Sequence, residues 1–270
     1  MNIAYFIRIG ALLLGALCVS LPAFAAQRLT DSERKVIANK EYASCMAIAK
    51  KEGVPAMIAY VRKSQKGTSL KGNSEKLAQE NCVADAAGLT RYHNINQIIR
   101  DAGDQLVSLD SSAVCFKNDV PRARQVARPW VRDYLNELAQ YLDQKKVKKV
   151  SGLNSQLLVA SCVRSRMDQD RISGVKKVYL YIKQKLRKLT VGKQSFADCS
   201  SDAVCSTHLT GSAVDISLLG VDKKKRDVLT KRLLEDRDKG RILVILETWG
   251  NHFHIFVIPP KYVVTKQNPS

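Results

Sequence analysis

Residues 241–258, RILVILETWGNHFHIFVI, contain two apolar runs that flank a polar turn. The runs are rich in the β-branched and aromatic residues that favour strands, and Gly250 and Asn251 separate them. A glycine and asparagine pair is typical of the two-residue loop that closes a β-hairpin. The stretch therefore predicts an antiparallel hairpin near the end of the chain.

The predicted hairpin brings ionisable side chains together. A two-residue loop pairs Trp249 with His252 and, further from the turn, Glu247 with His254. Side chains alternate along a strand, so all four are expected on one face, with the Cβ atoms of an opposed pair roughly 5 Å apart. A carboxylate and two imidazoles would then share one small patch.

A second stretch, STHLTGSAVDIS at residues 206–217, adds two more polar groups. Gly211 permits a turn that brings His208 close to Asp215. Catalytic zinc takes three protein ligands from His, Asp or Glu and leaves a fourth position open. We therefore predict that His208, Asp215 and His254 bind Zn²⁺.

Hydrolysis at such a centre also needs a proton acceptor near the metal. Glu247 is one candidate base because of its predicted place opposite His254. His252 is the other, and it is equally suited to stabilising a developing oxyanion. The fourth histidine of the chain, His93, has no partner pattern, and we expect it to be structural.

The second stretch resembles the signature Ser-x-His-x-x-Gly-x-Ala-x-Asp of zinc D-Ala-D-Ala carboxypeptidases and dipeptidases. These enzymes share their metal fold with murein endopeptidases and hedgehog domains. The matching residues are Ser206, His208, Gly211, Ala213 and Asp215. Two further segments extend the resemblance to about residues 155–260. The segment VASCVRSRMDQ resembles the upstream motif at Ser161, Arg164, Ser165 and Gln169, and ETWGNHFHIFV resembles the closing motif with Trp249 and a terminal histidine.

The resemblance implies a C-terminal α+β domain with a small antiparallel sheet. It implies that His208, Asp215 and His254 bind zinc, with a glutamate of the closing motif, here Glu247, as base. It also assigns Arg164 to substrate or transition state, a task that suits the two-pronged hydrogen bonding of a guanidinium. The His-x-His pair looks more like the murein endopeptidase branch, in which the last histidine is the ligand.

Residues 1–25 have the pattern of a signal peptide, with Arg8, an apolar run and small residues at Ala23 and Ala25. The apolar run is shorter than the roughly 20 residues that a membrane-spanning helix needs. We expect a periplasmic or secreted protein without a stable membrane anchor. Disulfides are expected among its six remaining cysteines, with Cys199 and Cys205 suited to closing a short loop.

The rest of the chain divides into regions that differ in their pattern of apolar and charged residues. Apolar positions at helical spacing in 32–51, 53–64 and 128–144 predict a helical region over residues 26–145. A zinc peptidase-like domain is expected over 150–262, with a buried strand in 155–163 and an amphipathic, basic segment at 174–192. Residues 263–270 are expected to form a disordered tail.

The formal net charge of +19 implies an anionic partner or surface. For an exported protein, anionic cell-envelope polymers fit this charge better than nucleic acid, which the scarcity of aromatic residues in the basic runs also disfavours. The sequence thus predicts a zinc metallopeptidase that hydrolyses D-amino-acid-containing bonds of peptidoglycan stems, with peptidoglycan or muropeptides as partners. The alternative is a non-catalytic cell-wall-binding module that keeps the peptidase fold.

Overall fold

The computed structural model describes residues 31–172, 199, 201–247 and 251–263. The predicted signal peptide at 1–25, the basic segment at 174–192, Trp249 and all but the first residue of the tail at 263–270 lie outside the described residues. Within these ranges the chain combines α-helices with two β-sheets, which confirms the α+β class.

The described helices before residue 150 include the three that the sequence predicts. The five helices are α1 (Asp31–Glu52), α2 (Val54–Gln65), α3 (Ser74–Ala86), α4 (Ile95–Asp101) and α5 (Pro129–Gln144). The sequence predicts α1, α2 and α5. Gly53, at φ 87°, separates α1 from α2, a conformation that glycine adopts readily. Asn73 begins α3, because its side chain accepts a hydrogen bond from the backbone N–H of Lys76 at 2.9 Å.

Three short strands lie between α4 and α5, where only helices were expected. They are β1 (Val107–Ser108), β2 (Val114–Phe116) and β3 (Val126–Ala127). The first and third pair with each other, and β2 joins the main sheet beside β4 (Leu157–Ser161). Strands of two or three residues are too short to show an alternating pattern in the sequence. Their pairing partners are also distant in the chain.

The main sheet holds five strands among the described residues, in the order β2, β4, β5, β7, β6. The last three are β5 (Ala213–Ser217), β6 (Ile242–Glu247) and β7 (His252–Val257). The predicted strands β4, β6 and β7 are confirmed. The sheet is mixed rather than wholly antiparallel, because β2 runs parallel to β4.

Helices cover both faces of this sheet. Residues 166–172 form the described part of α6, and α7 spans Lys223–Asp238. On one face Val214 and Ile255 pack in a cluster with apolar residues of α5 and α7. On the other, Ala213 and Phe256 pack in a cluster with residues of α1, α2 and α3. Because side chains alternate, Asp215 and His254 fall on this second face.

The hairpin register differs from the prediction. Glu247 pairs with His252, and Ile245 rather than Glu247 lies opposite His254. The connection therefore spans residues 248–251, and the predicted two-residue loop is wrong. A shift of two residues leaves every side chain on the same face, so the apolar pattern does not distinguish these registers. Asn251, which directly precedes β7, lies in the left-handed region at φ 46°.

Disulfides join four of the six cysteines that follow residue 25. Cys199 is bonded to Cys205, as predicted, and Cys45 is bonded to Cys82, which ties α1 to α3. Cys115 and Cys162 are free thiols. Cys115 lies opposite Leu158, about 13 Å along the strand from residue 162, which is too far for a disulfide.

No helix among the described residues is both long enough and apolar enough to cross a membrane.

Candidate metal centre

Three ligand-type atoms converge between the sheet and α3. Asp215 Oδ1 lies 3.0 Å from His208 Nε2 and 3.0 Å from His254 Nδ1, and the two nitrogens are 3.2 Å apart. All three residues are buried, with exposed fractions of 2% for His208, 3% for Asp215 and 5% for His254. This group, which we call the triad, brings together the three predicted metal ligands.

The sheet register positions two of the three. Asp215 on β5 and His254 on β7 are direct partners in neighbouring antiparallel strands, so their side chains leave the sheet side by side. Ile245 on β6 completes this row, and the next row holds Ser217, His252 and Glu247. The strand pairing therefore fixes the triad and a second polar row beside it.

A tight turn supplies the third member of the triad. His208 lies in a 3-10 helix over Thr207–Thr210, which ends at Gly211 in the left-handed conformation, φ 69°. A side chain at Gly211 would also meet Leu106, because an added Cβ atom would lie 2.7 Å from Leu106 Cδ2. Both the backbone conformation and the available space at this position favour glycine.

The outward nitrogen of each triad histidine faces a hydrogen-bond acceptor. His208 Nδ1 lies 2.8 Å from the backbone carbonyl of Cys162, which can only accept, so Nδ1 carries the proton. His254 Nε2 lies 2.9 Å from Glu80 Oε2, a carboxylate oxygen supplied by α3. These contacts orient the ring of His208 with Nε2 toward Asp215, and the ring of His254 with Nδ1 toward Asp215.

Burial and neighbouring charge set opposite protonation preferences in the two rings. Burial lowers the pKa of His208 to about 4, so its imidazole is neutral at pH 7. Burial would also lower the pKa of His254, but the carboxylates of Glu80 and Asp215 outweigh it and raise that pKa well above its ordinary value. Burial would raise the pKa of Asp215, yet the two histidines hold it well below its usual range.

This donor set fits a metal ion. Two imidazole nitrogens and a carboxylate oxygen are ordinary metal ligands, and here they lie within hydrogen-bond distance of one another. With Nδ1 of His208 protonated, its Nε2 presents a lone pair toward Asp215 Oδ1, an arrangement that a bound cation would stabilise. His208, Asp215 and His254 can therefore hold a metal ion.

Three partly exposed side chains border the triad, and we call them the rim. His252 Nε2 lies 3.6 Å from Asp215 Oδ2 and 3.3 Å from Glu247 Oε2. Arg164 Nη2 donates to Asp215 Oδ2 at 3.3 Å, while its Nη1 donates to Gln169 Oε1 at 3.2 Å. The exposed fractions of the side chains are 14% for His252, 20% for Arg164 and 50% for Glu247.

All six predicted site residues therefore lie in one region, in a different arrangement from that expected. Glu247 contacts His252 instead of facing His254, because the hairpin loop is longer than predicted. Glu80 was missed. No local pattern separates Glu80 from other carboxylates of α3 such as Glu75, since its contact with His254 joins residues 174 positions apart.

The comparisons with known proteins add no relatives: no protein-family model matches the chain, and neither a curated protein nor a solved structure is significantly similar to it.

Proposed function

We propose that this protein is an exported zinc peptidase that hydrolyses peptide bonds next to D-amino acids in peptidoglycan stems. The observation that carries the proposal is the convergence of His208 Nε2, Asp215 Oδ1 and His254 Nδ1. Four tetrahedral ligands at zinc bond lengths are about 3.3 Å apart, close to the separations in the triad. The motif resemblance in the same residues supports the substrate class, and the two disulfides favour an oxidising compartment.

The triad would hold the metal, and the rim would act on substrate. When bound, zinc supplies Lewis acidity for amide hydrolysis at neutral pH. His252 is the side chain best placed to accept a proton, because its Nε2 lies beside Asp215 at the partly exposed edge. Glu247 contacts the same nitrogen at 3.3 Å and would stabilise the charged imidazolium. Both candidate bases then work together, with His252 as the base and Glu247 as its partner.

Arg164 would bind an anionic group of the substrate. Its backbone N–H donates to the carbonyl of His208 at 3.1 Å, and its guanidinium is held by Asp215 and Gln169. A fifth of the side chain remains exposed, so part of the fork can meet a stem carboxylate or a developing oxyanion. The net charge of +19 would favour approach to the anionic cell wall.

The test combines metal analysis with product analysis. Protein purified with its disulfides intact is loaded with Zn²⁺, its metal content is measured by mass spectrometry, and it is then incubated with isolated sacculi. Liberated muropeptides are separated and identified by mass. We expect about one zinc per chain and stem peptides shortened at a D-amino acid.

Two variants control this experiment. His208→Ala removes a ligand and is expected to lose both metal and products, whereas His93→Ala changes an exposed histidine outside the triad and should keep both. A zinc-loaded wild-type protein that leaves the muropeptide profile identical to that of His208→Ala would refute the peptidase.

A non-catalytic cell-wall-binding module is the second candidate, favoured by the near-complete burial of the triad. Closed metal sites are typically structural, whereas catalytic sites keep an open ligand position. This function predicts that the protein sediments with sacculi, that no products appear, and that His252→Ala sediments equally well.

A further inference from the structure

Glu80 is a fully buried carboxylate that comes from outside the strands and the turn that carry the triad. It lies on α3 with 0% exposure. Its Oε2 lies 2.9 Å from His254 Nε2 and accepts a hydrogen bond from Thr207 Oγ1 at 3.1 Å. It therefore contacts one triad histidine and the residue just before the other.

The contact with Glu80 determines which way the ring of His254 faces. An imidazole has two nitrogens on opposite sides, so a hydrogen bond that holds Nε2 against α3 also holds Nδ1 toward Asp215. The strand pairing places the Cα atom of His254 but leaves the ring free to rotate about its side-chain bonds. Glu80, together with Thr207 Oγ1 at 3.2 Å from the same Nε2, restricts that rotation.

We propose that Glu80 is a positioning residue of the metal centre, which fixes His254 with Nδ1 facing the metal. This inference rests on the metal centre proposed above. A carboxylate behind a liganding imidazole orients the ring and strengthens it as a donor. Together Asp215 and Glu80 also place two negative charges around the site, which matches the charge of a divalent cation.

Packing alone does not account for this carboxylate. Its neighbours on the buried side of α3 include Ala78, Val83 and Ala84, all apolar and 0% exposed. A charge buried among such residues is costly unless it is paired. The second oxygen, Glu80 Oε1, has no hydrogen-bond partner among the described residues. Its hydrogen bonds among the described residues are thus all on the side that faces Thr207 and His254.

The two residues that follow Glu80 fasten helix α3 to other parts of the fold, which gives the contact its precision. The Cys45 to Cys82 disulfide ties the helix to α1. Asn81 Nδ2 donates to the carbonyl of Cys205 at 2.7 Å, just before the turn that carries His208. Consecutive residues of α3 therefore hold His254 and the His208 segment in place.

The test measures metal affinity rather than turnover. Dissociation constants for Zn²⁺ and Co²⁺ are determined by chelator competition in the wild-type protein, Glu80→Ala, Glu80→Gln and Gln79→Ala. Removing such a supporting group weakens metal binding about 10- to 100-fold, and we expect this for Glu80→Ala. Glu80→Gln can still accept from His254 without the charge, so its loss should be smaller.

Gln79→Ala is the matched control. Gln79 is the preceding residue of α3 and is also buried, with 5% exposure, but its amide contacts Gln65, Glu41 and Ser64 instead of the triad. It should lower the melting temperature without changing metal affinity. The Co²⁺ absorption spectrum should shift in Glu80→Ala and match the wild-type spectrum in Gln79→Ala, because only the former alters a ligand's orientation.

One measurement needs no variant. Nitrogen-15 NMR of the zinc-loaded wild-type protein should show His254 protonated at Nε2 and metal-bound at Nδ1. The reverse assignment, or wild-type affinity in a folded Glu80→Ala protein, would overturn the role of Glu80 while leaving the peptidase intact. A wild-type protein that binds no metal would overturn both proposals.

Discussion

The triad and the rim lie side by side on the same face of the sheet but differ in what surrounds them. His208, Asp215 and His254 are almost completely buried, and their outward nitrogens are held by Cys162 and Glu80. His252 and Glu247 lie one row further along the strands, where the exposed fractions rise to 14% and 50%. The difference separates two tasks. Buried, fully oriented groups suit a permanently bound metal ion, and partly exposed groups suit a substrate that binds and dissociates.

Removing a triad ligand should produce the largest effect. In Asp215→Ala the two histidines lose the oxygen that lies 3.0 Å from both. We expect metal affinity to fall by more than the about 10- to 100-fold that follows the loss of a supporting hydrogen bond. Chelator competition measures this, with Asp133→Ala, an exposed carboxylate outside the site, as control. Unchanged affinity would remove Asp215 from the ligand set.

Removing the rim base should stop turnover and spare the metal. We expect His252→Ala to lower kcat about 10²- to 10⁴-fold, the usual contribution of a general base, with metal content unchanged. Glu247→Gln should lower kcat less, because its carboxylate acts through His252. Rates of stem-peptide cleavage and metal analysis on the same samples check both points. Loss of metal from His252→Ala would place His252 with the triad and erase the distinction.

The turn that delivers His208 should tolerate no side chain at Gly211. Gly211→Ala combines a left-handed backbone with a clash against Leu106, and we expect it to lower the free energy of unfolding by about 2–4 kcal/mol. Gly152→Ala is the matched control. Gly152 also has a positive φ, 75°, but open space around it. Its replacement should therefore lower the free energy of unfolding by only about 1 kcal/mol. Urea denaturation compares the two, and equal costs would show that the turn has room to relax.

The smallest effect is expected from the disulfide beside this turn. Replacing Cys199 and Cys205 together with serine frees a short loop that ends three residues before His208. We expect metal to dissociate faster, by less than the about tenfold loss at the lower limit for Glu80→Ala. Cys115→Ser, which changes a free thiol, controls for the substitution itself. Identical dissociation rates would show that the disulfide does not steady His208.

Local patterns were sufficient for three helices, for three strands and for the triad. Helices α1, α2 and α5 and strands β4, β6 and β7 follow from residue spacing, which reflects burial of one face. His208 and Asp215 are close in sequence, and their motif indicated their partnership with His254. The predictions that failed concern features that depend on contacts between distant residues or on backbone conformation. The strands of the hairpin pair two residues away from the predicted register, and strand alternation does not distinguish the two registers.

Glu80 shows the same limit from the other side of the fold. It lies in a region where the sequence predicts helices and nothing more, and only the packing of α3 on the sheet brings it to His254. The pairing of Cys45 with Cys82 and the entry of β2 into the main sheet are likewise contacts between distant segments. Each depends on tertiary packing, which no window of a single sequence contains.

The position of β7 in the sheet sets the order in which the protein can mature. This strand carries His254 and follows β5 and β6 in the chain, yet it lies between them in the sheet. Its partner Glu80 is 174 residues earlier, and closing so long a loop is entropically costly until the sheet forms. A chain still being synthesised therefore has no complete set of ligands. A metal ion held by all three triad residues would therefore report that β7 has been inserted.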